Sequence, residues 1–108
     1  MDRYNWNQVP EVELGEGLTR QMIHTSRMTI LRVRFKKGVA APVHQHMHEQ
    51  VTMLTSGAMR FDLAGVPVLL HPGDLLPIPS NVPHGAEALE DSVLIDVFTP
   101  PREDLMAK

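Results

Sequence analysis

The 108-residue sequence contains no cysteine. Disulfides are excluded, and thiolate zinc sites with them, so any metal must be held by nitrogen and oxygen ligands. Charge of one sign is not in excess either. The formal net charge is −3 with histidines neutral, and the basic residues are dispersed. That balance offers no foothold for a nucleic acid or an anionic membrane. No stretch approaches the roughly 20 apolar residues of a membrane helix. The opening segment, MDRYNWNQVPEVEL, is polar and acidic, without the apolar run of a signal peptide. A cytoplasmic location is the expectation. A helical period is missing as well, except in the terminal REDLMAK, and no linker, low-complexity run or repeat divides the chain.

What is present is the composition of one globular domain spanning residues 1–108, with 43% hydrophobic and 21% charged residues. Seven glycines and nine prolines fall mostly between short apolar runs. MTILRVRF (28–35) alternates Leu31, Val33 and Phe35 against Arg32 and Arg34, a strand with one wet face. QVTMLTSGAMRFDLAG (50–65) reads as two strands joined near Ser56 and Gly57, and VPVLL (66–70) as another, ended by the turn HPGD. LLPIP (75–79) is extended and suited to a sheet edge, because Pro77 and Pro79 cannot donate to a central ladder. SVLIDVF (92–98) is the last strand. Short strands at this spacing predict an all-β sandwich or barrel, whose alternate residues point into one cavity.

Three of the six histidines lie in HQHMHEQ (44–50). His44 and His46 are two apart, so on a strand both rings share a face. The surrounding pattern is G-x5-H-x-H-x3-Q-x6-G, from Gly38 to Gly57. His84, after the proline-rich DLLPIPSNVP, can approach from a distant strand and close a metal site. A histidine-rich exposed turn is the plainer alternative. His48 falls within the spacer and reads as a cavity-rim or surface residue rather than a ligand. The dispersed methionines read as core filler.

These residues resemble the two motifs of the cupin superfamily: Gly38, His44, His46, Gln50 and Gly57 in the first, Gly73, Pro79 and His84 in the second. Gln50 stands where that family has Glu, and Ala88 where it often has Asn. The resemblance implies a single-domain cupin β-barrel of the double-stranded β-helix or jelly-roll kind. A narrower likeness, carried by LIDVFTPPRED (94–104) with HQHMHEQ, is to small cupins of the KdgF family, which act in pectin and alginate breakdown. By that resemblance the ligands of one divalent transition metal, whether nickel, zinc, manganese or iron, are His44, His46, Gln50 and His84. The active-site residues are Asp96, Phe98 and Arg102. The reaction implied is conversion of 4,5-unsaturated uronate monosaccharides to linear keto-uronates.

The residues themselves add physical content. Asp96 and Phe98 share a strand face with Leu94, while Val93, Ile95 and Val97 share the other. An acid among apolar neighbours is costly if buried alone, so Asp96 needs either a cavity role or a partner such as Arg20, Arg27 or Arg32. Four neutral ligands leave a dication its full charge, which favours an anionic, oxygen-rich ligand such as a sugar carboxylate. Arg102 is either a solvated residue beside Glu103 and Asp104 or, stiffened by Pro100 and Pro101, a guanidinium set to grip that carboxylate. An apolar face of Val93, Ile95 and Val97 suggests a homodimer. An iron-dependent dioxygenase and a non-enzymatic sugar- or effector-binding cupin are the competing readings.

Overall fold

Inward and outward residues alternate along the central strands, and that alternation decides what each contributes to the interior. The computed structural model describes residues 3–106. Six strands form one antiparallel sheet in the spatial order β1 (Val12–Gly15), β2 (Leu18–His24), β3 (Thr29–Phe35), β10 (Ser92–Thr99), β5 (Glu49–Ser56) and β8 (Leu75–Ile78). Four form a second, in the order β4 (Ala40–His44), β9 (His84–Ala88), β6 (Met59–Leu63) and β7 (Val66–Leu70). One helical turn, α1 (Glu103–Met106), follows. The all-β jelly-roll expectation holds.

The inward set of β3, Leu31, Val33 and Phe35, meets Leu54 of β5, Leu94 and Phe98 of β10, and Met59 and Phe61 of the facing sheet in one buried cluster. Leu54, Met59 and Ile78 are almost wholly removed from solvent. Each such side chain contributes about 1.5–3 kcal/mol relative to exposure. Arg34 is left on the wet face of β3, and Arg32, half-buried, stacks over Trp6 at 6.0 Å.

The strands of residues 50–65 do join at Gly57, but they do not pair with each other. β5 belongs to the six-stranded sheet and β6 to the four-stranded one, so the chain crosses between layers there. Gly57 has φ +89°, and a Cβ at this position would sit 2.2 Å from the Ser92 hydroxyl oxygen and 2.3 Å from the Asp91 carbonyl oxygen. Only glycine turns that corner. The true hairpin is β6–β7, closed by Ala64 and Gly65, both at positive φ. β8 lies at a sheet edge, as Pro77 requires. Strands β1, β2, β4 and β9 carry weaker alternation than the others. Of the C-terminal segment with a helical signal, Glu103–Met106 form a helical turn with Leu105 turned onto the core, and Ala107 and Lys108 lie outside the described residues. No helix of the described residues is long and apolar enough to cross a membrane.

Candidate metal centre

β4 and β9 pair so that His44 stands directly opposite His84. The chain leaves β4 at His44, so His46 is carried by the turn that follows rather than by the strand, yet it still converges. The ring centroids lie 4.3 Å apart for His44–His84, 5.0 Å for His46–His84 and 5.7 Å for His44–His46. One ring nitrogen from each can be chosen so that all three lie within 4.8 Å of one another.

The tautomers follow from the backbone. Nδ1 of His44 donates to the Pro42 carbonyl at 2.9 Å, Nδ1 of His46 to His48 at 3.1 Å, and Nδ1 of His84 to Val82 at 2.9 Å. A carbonyl only accepts, so each Nδ1 carries the hydrogen and each Nε2 presents a lone pair to the cluster. The Nε2 of His84 is buried without a partner. Burial foremost, with the Arg102 and neighbouring histidine charges, holds His46 and His84 below the ordinary imidazole value. Neutral rings with converging lone pairs are what a divalent cation requires.

Gln50 supplies the fourth donor. Its side-chain nitrogen donates to the Thr52 hydroxyl at 2.9 Å and to Asp96 Oδ1 at 3.1 Å. Both amide hydrogens are thereby spent, and Oε1 is turned toward His46, 3.1 Å from its Nε2. Two lone pairs facing each other at that distance repel unless a cation lies against both. The residues present therefore fit a divalent metal held by three imidazoles and an amide oxygen, a set suited to nickel, zinc, iron or manganese.

Asp96 sits beside this set. Its Oδ1 accepts from the Thr52 hydroxyl at 2.6 Å as well as from Gln50. None of the arginines that might have paired with it does so. Burial dominates and pushes its pKa up to about 6, against the hydrogen bonds from Thr52 and Gln50 and the charges of Arg102 and His44. The register places Thr52, Asp96 and Leu31 in one row across β5, β10 and β3.

A cavity of about 210 Å³ opens between the sheets, lined among others by His44, Gln50, His84, Asp96, Phe98 and Arg102. It lies below the roughly 300–1,000 Å³ of sites for drug-sized ligands, a volume for a small molecule. Phe98 forms one wall, its ring 5.6 Å from that of His46. The Arg102 guanidinium lies over the Phe98 ring at 4.7 Å, and Asp104 accepts from its Nε at 3.0 Å and its Nη2 at 2.8 Å. The Arg102 backbone N–H donates to Thr29 at 2.8 Å, and His48 Nε2 donates to the preceding carbonyl of Pro101 at 3.2 Å. His48 is thus buried, not a rim or surface residue, and it stands outside the converging trio.

All seven residues singled out from the sequence line or adjoin one cavity. Two others were not singled out as site residues, Arg20 having been considered only as a salt-bridge partner for Asp96. Thr52 holds Asp96, and it sits at an inward position between Gln50 and Leu54 where a hydroxyl is unexpected. Arg20 of β2 also lines the cavity. Its signal was alternation with Leu18 and Met22, in a segment whose strand pattern is weak.

Comparison with known proteins gives the family and the fold. Residues 31–98 match the model of the cupin domain family. The chain is 34% identical over 103 residues to the pectin degradation protein KdgF of Dickeya dadantii, covering 93% of this chain and 94% of that one. The structure of KdgF from a Halomonas species superposes with a TM-score of 0.92 at 32% identity, covering 97% of this chain and 98% of that chain. An RmlC-like cupin from Shewanella frigidimarina superposes with a TM-score of 0.90 at 34% identity, over 94% of this chain and 93% of that chain.

Proposed function

The chain belongs to the cupin domain family and, within it, to the KdgF-like cupins; on that premise we propose that it converts 4,5-unsaturated uronate monosaccharides to their linear keto forms. The observation that carries the reading is Asp96, an acid of raised pKa set into the cavity against the metal set by Gln50 and Thr52. Such a group can hold a proton between two steps near neutral pH.

The reaction needs no oxidant. A proton leaves the anomeric hydroxyl, the bond from that carbon to the ring oxygen breaks, and an aldehyde forms. The ring oxygen keeps the electron pair as an enolate, which collapses to a ketone as a proton joins the alkene carbon. One proton is taken and one returned, so the product is an isomer. In this reading Asp96 takes the first and delivers the second. A bound divalent ion supplies polarisation of a substrate oxygen. Phe98 offers an apolar wall to the ring, and Arg102 brings positive charge to the developing enolate.

Further parts of the same reading are a cytoplasmic setting and a homodimer. Supporting the second, the outer face of the six-stranded sheet carries half-buried Val93, Ile95 and Val97 beside Ile30, Val51 and Met53, with Leu75 exposed at its edge. Light scattering at micromolar concentration reads the mass directly. The reaction is tested by following the alkene absorbance of unsaturated galacturonate with and without oxygen. Equal loss in both is expected. Loss only with oxygen would point to a dioxygenase, and binding without loss to an effector-binding protein.

A further inference from the structure

We propose that Arg20, rather than Arg102, receives the carboxylate of the sugar, an assignment that rests on the uronate reading above. Arg20 points inward from β2 between Leu18 and Met22, both of which pack on the core. It lines the same cavity as His44, His84 and Asp96. Its Nε is buried and has no hydrogen-bond partner, and no carboxylate of the described residues pairs with it. Arg20 as a whole is half-buried, but a charged N–H donor taken from water without a partner is costly, and that cost is offset when an acceptor arrives.

Arg102 is in the opposite condition. Its Nε and Nη2 edge is already filled by both oxygens of Asp104, and its plane lies on Phe98. A fork so occupied has one edge fewer to give to a ligand carboxylate. Of the two cavity arginines, Arg20 has its fork open.

Position agrees. Arg20 is opposite Val33, which is opposite Leu94, while Asp96 shares its row with Leu31 and Met22. Arg20 therefore stands two strands across and one inward step along from Asp96, about 10 Å by about 7 Å in sheet dimensions. One arginine side chain and one pyranose ring span such a gap. The lining also includes Leu14, Leu18, Val33 and Phe35, none with a polar side-chain atom. An ion pair formed among such walls is little screened.

The test is calorimetric titration of the metal-containing full-length protein with galacturonate and with galactose, its neutral counterpart. The parent should favour galacturonate by about 10-fold or more, the lower range for charge-assisted hydrogen bonds. Arg20→Ala should cut that preference at least several-fold while retaining the metal, whose own charge keeps the remainder. Arg20→Lys should keep only part of it, because an ammonium lacks the fork. Arg102→Lys should hold the preference within about threefold, since it keeps the charge and gives up a fork that Asp104 already fills. A parent without preference, a preference unchanged in Arg20→Ala, or one that falls in Arg102→Lys as far as in Arg20→Lys, overturns the assignment. If Arg20→Ala does not fold, Arg20→Lys decides: a several-fold fall supports the assignment and an unchanged ratio overturns it. Turnover of unsaturated galacturonate by the parent is a separate reading. Galacturonate selected through Arg20 with the alkene left intact would sink the reaction and leave the anion site standing.

Discussion

Gln50 donates a side-chain hydrogen to Asp96 at 3.1 Å, so the residue proposed as the fourth metal donor also holds the acid in the cavity. A glutamate, the more usual residue at this motif position, cannot make that bond. It would set a second carboxylate against the first, each raising the pKa of the other. An amide instead leaves the metal's charge undiminished and keeps Asp96 within reach of ionisation near neutral pH.

Gln50→Glu should therefore keep or tighten the metal while lowering turnover by about 10-fold or more, as the acid's pKa climbs. Binding of an anionic sugar should weaken too, because part of the positive charge is cancelled. Metal content by elemental analysis, with kcat and KM measured separately, reads these effects apart. Unchanged turnover with full metal would show that the amide's bond to Asp96 does not matter to the chemistry.

Asp96→Asn should preserve the fold and the metal, since an amide oxygen can still accept from Thr52. Turnover should fall by about 100-fold or more, the usual range for losing a positioned acid or base. Were the rate to stay at the parent level, Asp96 would be a structural carboxylate and nothing more.

His84→Ala removes the ligand whose Nε2 is buried and unpartnered. Metal affinity should fall by more than the roughly 10–100-fold that accompanies loss of an outer partner. Competition with a chelator of known affinity measures it. Retention of the metal at full stoichiometry in both this variant and His44→Ala would refute the ligand set.

The Arg102–Asp104 pair can be watched through its acid. The hydrogen bond from Arg102 and the charge of its guanidinium hold the Asp104 carboxyl down to about 2, from an ordinary value of 3.8. Because the folded value is the lower one, the pair's contribution is complete above about pH 4 and is lost as pH falls through about 2. The carboxyl chemical shift of Asp104 should titrate near 2 in the parent and return toward its ordinary value in Arg102→Ala. Identical titration in both would mean that the guanidinium is not held there in solution.

Much of this was written into the sequence. Local rules suffice to make β3 and β10 strands, to set Leu94, Asp96 and Phe98 on one face, and to confine Pro77 to an edge. The spacing from Gly38 to Gly57 likewise places His44, His46 and Gln50 within one short reach of chain. Each of these depends on side-chain period or backbone restriction, which act between near neighbours.

Only the tertiary structure decided how those faces meet. Strand order brings Thr52 beside Asp96, 44 positions away along the chain, and so chooses a hydroxyl and an amide as its partners over any arginine. The same order buries His48 against Pro101 and closes the Arg102 fork on Asp104. It also leaves the Arg20 fork open within an apolar lining. Periodicity says which way a side chain points from its own strand. What it meets there depends on register between distant strands, set by turns such as Gly57 that pass the chain from one sheet to the other.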